Sequence, residues 1–425
     1  MTSSRRRSLF AAGVAAALAA AVSLAPAAAA AGGPGGDGRG WSGAWSTAPQ
    51  PPMGGEAEPN WSQAGFAGQS IRQVVRVSAG GSQVRIRLSN AYGTRPLRLA
   101  GATIAKAGEG AAVRQETVRR LTFGRSPSAT IAPGGAATSD TAPLSTAPLD
   151  KLTVTAYFAE PTGAATFHEG GLTTTYRAAG DQLFDGAGGA FGETSHSWYF
   201  LTGVDVSGGP RPFGGAVVAF GDSITDGAVS TPGADNRYPD ELAERLVAAG
   251  RPMGVLNAGI NGNMLLTDSP CFSGVRGVAR FSRDVLEQPG VRTAIVLMGV
   301  NDIGLGGLDL GCGTPPLMTP DRLIEGHRAL IRAAHARGIT IIGATITPFK
   351  GNEYYDSPRN EAVRDAVNRW IRRSGEYDQV VDLDRVLADP ADRDALNPAY
   401  DGGDRLHPND AGMKAMAAAV DLDRL

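Results

Sequence analysis

The chain has only two cysteines in 425 residues, Cys271 and Cys312. They do not form a C-x-x-C pair, so a thioredoxin-like redox motif and a cysteine-based zinc site are both excluded. An excess of positive charge is missing too. The net charge is −2, and no basic run exists beyond the first ten residues. That removes the electrostatic footprint of a nucleic-acid binder. After residue 31 no apolar run approaches the roughly 20 residues a bilayer-spanning helix needs. Of the five histidines, His327 and His335 share a helical segment but stand eight apart, not at the i, i+4 spacing of a zinc helix. No internal repeat is visible. Aromatic residues are scarce at 6%, whereas Gly (58) and Pro (27) are plentiful, which points to a loop-rich β region.

The first residues carry a processing pattern. MTSSRRRSLF is a basic opening, AAGVAAALAAAVSLA an apolar run, and PAAAAAGG a set of small residues suited to cleavage. Arg6-Arg7-Ser8-Leu9-Phe10 resembles a twin-arginine export signal. The expectation is a signal peptide over residues 1–31, cleaved near 28–31, and a secreted, extracellular product. A short membrane anchor is the rival reading, but the run is under twenty residues and mostly alanine, so no stable anchor is expected. An exported chain with two cysteines predicts one disulfide, Cys271–Cys312. Closing a loop of about 40 residues would stabilise the fold by roughly 4 kcal/mol in the chain-entropy picture.

The rest divides into two patterns. Over 41–206, IRQVVRVSA, SQVRIRLSNA and KLTVTAYFAE alternate apolar with polar or basic residues, as half-buried strands do. Gly and Pro clusters separate them, and a β-sandwich or jelly-roll-like domain is expected. VSGGPRPFGG, at 206–215, reads as a hinge. Over 216–425 the pattern changes to short continuous apolar runs: AVVAF, GVLNAG, TAIVLMG, ITIIGATI and QVVDL. Helical stretches such as YPDELAERLVAAG lie between them. Alternation of this kind predicts an α/β fold, a five-stranded parallel sheet in a flavodoxin-like three-layer α/β/α sandwich. Ligands of such sheets bind outside the carboxyl ends of the strands.

Chemistry-bearing residues collect at those ends. Ser223 follows the first strand in AVVAFGDSITDG. Gly259 follows the second in NAGINGN. Asn301 and Asp302 follow the third in MGVND. Asp404 and His407 stand in DRLHP before the last helix, with Pro408 expected in its first turn. Acyl transfer needs a nucleophile, a base, an orienting group and oxyanion donors. Ser223 offers the hydroxyl, His407 the base and Asp404 the orienting carboxylate. The N–H groups of Ser223 and Gly259 and the Asn301 amide offer the donors. Each residue also has a plainer reading: Ser223 as a helix cap, Gly259 and Asn301-Asp302 as turn residues, D-x-x-H as chance. Asp222 is assigned a structural role. The histidines His168, His196, His327 and His335 are expected at the surface, and Trp41, Trp45, Trp61 and Trp198 in core packing.

GDSITDG, the glycine of NAGINGN, GVND and DRLHP together resemble the four blocks of the GDSL (SGNH) serine hydrolases, over about 217–420. The resemblance implies that Ser223 is the nucleophile, Gly259 and Asn301 are oxyanion donors, and Asp404 with His407 completes the triad, with no cofactor and no metal. The opening W-x-x-x-W-x-x-A-P-Q and the β domain resemble an arylesterase/acylhydrolase branch associated with plant polysaccharide breakdown. The sequence departs from the α/β-hydrolase elbow G-x-S-x-G, since Thr225 stands where the second glycine would be. The expected function is a secreted serine esterase acting on short acyl esters, O-acetyl groups of polysaccharide included, with an acylated polysaccharide or lipid as partner. Three alternatives stay open: a lipase or phospholipase-type acyl hydrolase, a carbohydrate-binding cell-wall protein with an inert hydrolase domain, and a metal-dependent phosphoesterase using Asp222 or Asp302.

Overall fold

Alternating sequence in the first half produces two antiparallel sheets. The computed structural model describes residues 40–54, 59–209 and 215–425. The signal segment expected over 1–31 and half of the expected hinge, 210–214, lie outside the described residues. Strand Lys151–Phe158 pairs along its whole length with Gln69–Arg76 and also with Gly101–Lys106. Its Leu152, Val154, Ala156 and Phe158 enter a core shared with Val84, Ile86 and Val204 of the second sheet. Burying each such Val or Ile is worth about 1.5–3 kcal/mol. The sandwich is thereby closed.

The outer face of the same strand is also covered. Thr153 and Thr155 are buried there, and the Arg72 guanidinium donates to Thr155 Oγ1 at 2.9 Å and to the carbonyls of Ala111 and Asp185. Trp45 and Trp198 meet edge to face at 4.9 Å, both buried, as core packing requires.

The second half is a parallel sheet of five strands: Ala216–Gly221, Gly254–Ala258, Val291–Leu297, Thr340–Ala344 and Gln379–Val381. In space the order is second, first, third, fourth, fifth, the flavodoxin-like arrangement. Every residue of Ala216–Gly221 is buried, which explains a continuous apolar run where a half-exposed strand would alternate. The order reverses beside this strand, so its carboxyl end is the topological switch point where ligands of such sheets bind.

The halves pack directly together within one compact unit. Strand Ser42–Ser46 approaches Gly254–Ala258 so closely that a Cβ at Gly254 would lie 2.0 Å from the Gly43 carbonyl oxygen. Ser78 Oγ accepts from the Val255 N–H at 2.7 Å and donates to the Ala44 carbonyl at 2.7 Å. Cys271 and Cys312 form the expected disulfide, Cα atoms 5.9 Å apart, joining the loop after the second strand to the loop after helix Val300–Gly304. Among the described residues no helix is long and apolar enough to cross a membrane.

Two of the four histidines expected at the surface are buried, His168 and His327. His327 shares a hydrogen bond with the Tyr377 hydroxyl at 2.7 Å and lies against Trp370. Burial pushes its imidazole down to about 4. Residue type suggested exposure, but a partner that comes from a distant segment cannot be seen in the local pattern. The last helix also differs in detail. It runs Asp410–Ala418 with Asn409 as its cap, Oδ1 accepting from the Gly412 N–H. Pro408 therefore precedes the cap and does not stand in the first turn.

Candidate active site

The first strand ends in a tight corner. A Cβ at Gly221 would lie 2.0 Å from Thr225 Oγ1 and 2.7 Å from the Leu297 carbonyl oxygen, so only glycine fits. Asp222 is extended, and its Oδ1 accepts from the Ile224 N–H at 3.1 Å. Asp222, not Ser223, thus caps the one-turn helix Ser223–Asp226. Ser223 begins that helix with its hydroxyl released, and Oγ lies 2.8 Å from His407 Nε2. On the other side of the ring, Nδ1 lies 2.5 Å from Asp404 Oδ2. A carboxylate only accepts, so Nδ1 carries the proton and Nε2 is left as the acceptor for Ser223. The Asp404 Oδ1 accepts from the N–H groups of Leu406 and His407. Burial alone would raise the Asp404 carboxyl, but the hydrogen bonds and charge of His407 outweigh it and hold it at about 2. Asn352 Nδ2 donates to the Asp404 carbonyl at 2.8 Å and anchors the turn.

The expected oxyanion donors are placed differently from one another. Asn301 is buried, with Nδ2 donating to the Asn263 carbonyl at 2.9 Å and Oδ1 accepting from the Tyr355 hydroxyl at 2.6 Å. One Nδ2 proton is left over. Gly259 is not free to serve: its N–H donates to Asn257 Oδ1 at 2.9 Å. Its lack of a side chain is needed for packing, since a Cβ there would lie 2.2 Å from the Asp226 nitrogen. The second glycine of NAGINGN is the better placed. Gly262 has φ 68° in the turn closed by the Asn263 N–H donating to the Ile260 carbonyl, the same turn that Asn301 grips. Among the described residues the Gly262 N–H has no acceptor. The signal that could have found it is the Asn261-Gly262 dipeptide, a turn pair in which only the second position demands positive φ.

Two more residues escaped the sequence reading. Tyr355 orients the Asn301 amide, as described. Arg280, fully buried, donates to the carbonyls of Gly221 and Ala258 at 2.7 and 2.8 Å, to Asn263 Oδ1 at 2.9 Å and to Asp284 Oδ2 at 3.1 Å. It ties together the ends of the first two strands and the Gly262 turn. Asp302 pins the same loop by accepting from the N–H groups of Leu265 and Leu266 at 2.6 and 3.0 Å. Burial raises Asp302 to about 6 and Asp222 to about 7. The carboxylates required by a metal-dependent phosphoesterase are thus both engaged with backbone N–H groups. A separate acidic trio, Glu361, Asp365 and Asp394, surrounds the Arg364 guanidinium, which donates to Glu361 at 2.7 Å and to Asp394 at 2.9 Å.

A flavodoxin-like sheet that gathers a free serine hydroxyl, an imidazole and a carboxylate in one hydrogen-bonded line at its carboxyl edge has the layout of a hydrolase. The model of the GDSL-like Lipase/Acylhydrolase family matches residues 219–415. Residues 219–415 thus match the GDSL/SGNH hydrolases, a family of carboxylic ester hydrolases. Solved structures similar to it include a lipase/acylhydrolase from Enterococcus faecalis, 19% identical, covering 48% of this chain and 92% of its own at a TM-score of 0.37. A GDSL-like lipase from Bacteroides thetaiotaomicron is 18% identical, with 48% and 85% covered and a TM-score of 0.36. An acetyl xylan esterase is 21% identical, with 48% and 96% covered and a TM-score of 0.36. No curated protein matches the chain.

Proposed function

We propose that the chain is an exported serine esterase in which Ser223, His407 and Asp404 act as a triad. Ser223 Oγ attacks the ester carbonyl carbon as His407 Nε2 takes its proton. Asp404 steadies the imidazolium that forms. The negative oxygen is received by the N–H groups of Ser223 and Gly262 and by the spare Nδ2 proton of Asn301. When the tetrahedral intermediate collapses, the C–O bond to the alcohol breaks, and the alcohol leaves with the proton from His407. Water then repeats the sequence on the acyl-enzyme and frees the acid and Ser223. The observation that carries this reading is the hydrogen-bonded line Ser223–His407–Asp404 beside a helix capped by Asp222, which leaves Ser223 no structural duty at that corner.

The proposed substrates are short acyl esters, O-acetyl groups on polysaccharide included. Close walls beside the oxyanion groups support a small acyl part: Phe272 packs on Gly262 and the Tyr355 ring on Gly304, where added Cβ atoms would meet them at 2.2 and 2.1 Å. A second reading, hydrolysis of longer acyl or aryl esters, has its own support. Of the six large hydrophobic side chains exposed among the described residues, Val229, Phe272, Leu317 and Tyr354 stand on the loops of the site. Val229 packs against Gly402, whose N–H donates to the His407 carbonyl, and Tyr354 adjoins Tyr355. Export is supported by the N-terminal pattern and by the Cys271–Cys312 disulfide, which suits an oxidising compartment.

Hydrolysis of p-nitrophenyl acetate by the wild type and by Ser223→Ala tests the mechanism. The expected result is turnover by the first and only background by the second; retained turnover in Ser223→Ala refutes it. A series from acetyl to octanoyl esters, with acetylated xylan alongside, separates the two substrate readings. Highest kcat/KM at acetyl supports the first, and a rise with chain length supports the second.

A further inference from the structure

The β half and its opening W-x-x-x-W-x-x-A-P-Q take no part in the chemistry proposed above. The helix that carries Ser223 is only four residues long, Ser223–Asp226, and a single turn has little stability of its own. Asp222 holds its start. Its end, Asp226, is buried, and Asp226 Oδ1 lies 3.0 Å from Nε2 of His168, a buried residue of the β half. His168 Nδ1 donates to the carbonyl of Ala48, in the opening motif, at 2.9 Å.

That motif is itself fixed on the His168 segment. The Gln50 N–H donates to the Phe167 carbonyl at 2.6 Å, and Gln50 Oε1 accepts from the Glu169 N–H at 2.9 Å. Trp198 stacks on the imidazole at 5.6 Å. Both partners of the ring are acceptors. A carbonyl cannot donate, so Nδ1 carries a proton, and the carboxylate calls for a second proton at Nε2. The contacts are therefore those of an imidazolium–carboxylate pair. Arg237 acts on it as well, and Arg237 pairs in turn with Asp235 and Asp240.

We propose that His168 is a positioning residue for the nucleophile: it fixes Asp226, and through it the Ser223 turn, so that the β half completes the active site of the hydrolase half. This rests on the reading of Ser223 as the nucleophile. Asn257 helps from the sheet side, Nδ2 donating to the carbonyls of Thr225 and Asp226 at 3.0 and 3.3 Å. Release of the Asp226 end would let Oγ wander from His407, and a displacement of about 1 Å costs on the order of 10²-fold in rate.

The test uses the full chain with His168→Gln, Asp226→Asn and the double variant. For each folded variant, kcat and KM on p-nitrophenyl acetate and the rate of fluorophosphonate labelling are measured. The inference predicts that kcat and labelling fall about tenfold or more while KM stays within about twofold, and that the double variant is no worse than the poorer single. Arg76→Ala removes a different contact between the halves, the Arg76–Glu244 pair, and should leave kcat unchanged. Variants that lose thermal stability but label at the wild-type rate overturn the inference. If the single variants do not fold, the double variant, which buries no unpaired charge, decides by the same labelling rate. A wild type that neither hydrolyses nor labels would instead overturn the proposed function.

Discussion

Asp222 and Ser223 stand side by side and do different work. The capping duty falls on Asp222, and so the hydroxyl of Ser223 can face His407. Asp222→Ala should cost about 1 kcal/mol of stability as a lost cap, together with slower labelling of Ser223. A stability loss with unchanged labelling would separate the cap from the site. Asp404→Asn keeps the shape but no longer dictates a proton on Nδ1. It should lower kcat by about 10³–10⁴-fold with little change in KM, and a loss under tenfold would contradict the assigned role. Tyr355→Phe leaves the buried Asn301 Oδ1 without its donor, a defect of about 1–3 kcal/mol. Its effect should appear in kcat more than in KM. The residue types Ser, His, Asp and Asn were legible in the sequence because each sits at a strand end or before the last helix. The glycine proposed as oxyanion donor was not. Gly259 and Gly262 lie three apart in one motif, and only the backbone distinguishes a glycine that packs from one that turns.

The secondary-structure elements bring these residues together through groups the motifs do not contain. Arg280 is the main one, a buried guanidinium joining two strand ends, the Gly262 turn and Asp284. Arg280→Met would leave Asp284 buried with only the partly exposed Arg283 beside it, and a loss of about 3–5 kcal/mol is expected from urea unfolding. A loss below 1 kcal/mol would mean that the strand ends hold themselves. At this scale the sequence was informative. Continuous apolar runs marked the parallel strands, and alternation marked the sandwich, since burial on two faces or one is written directly into periodicity. Arg280 could not be read this way. An arginine in a polar-looking stretch is ordinarily a surface residue, and nothing local reveals the four acceptors that converge on it.

In the whole molecule the two halves act as one unit, and the contacts that join them come from residues far apart in sequence, such as Ser78 with Val255 and His168 with Asp226. Local patterning divides the chain correctly into a β part and an α/β part but is silent on how the parts meet. Stability against pH is also a property of this scale. His327 titrates near 6.5 when unfolded and is pushed down to about 4 by burial. The folded state therefore keeps it neutral, and its contribution, at most about 3 kcal/mol, is present above pH 6.5 and lost as the pH falls towards 4. Asp404, held at about 2 against an ordinary 3.8, loses its contribution only below that value. Melting temperatures of His327→Gln should accordingly decline less steeply than those of the wild type between pH 7 and 4.5, whereas parallel curves would contradict the assignment. The central claim is that Ser223 carries the acyl group. Its most direct test is peptide mass spectrometry of the full chain after reaction with a fluorophosphonate. One adduct is expected, on the peptide containing Ser223, and none in His407→Ala under the same conditions; an adduct on any other serine, or none in the wild type, would contradict the role of Ser223.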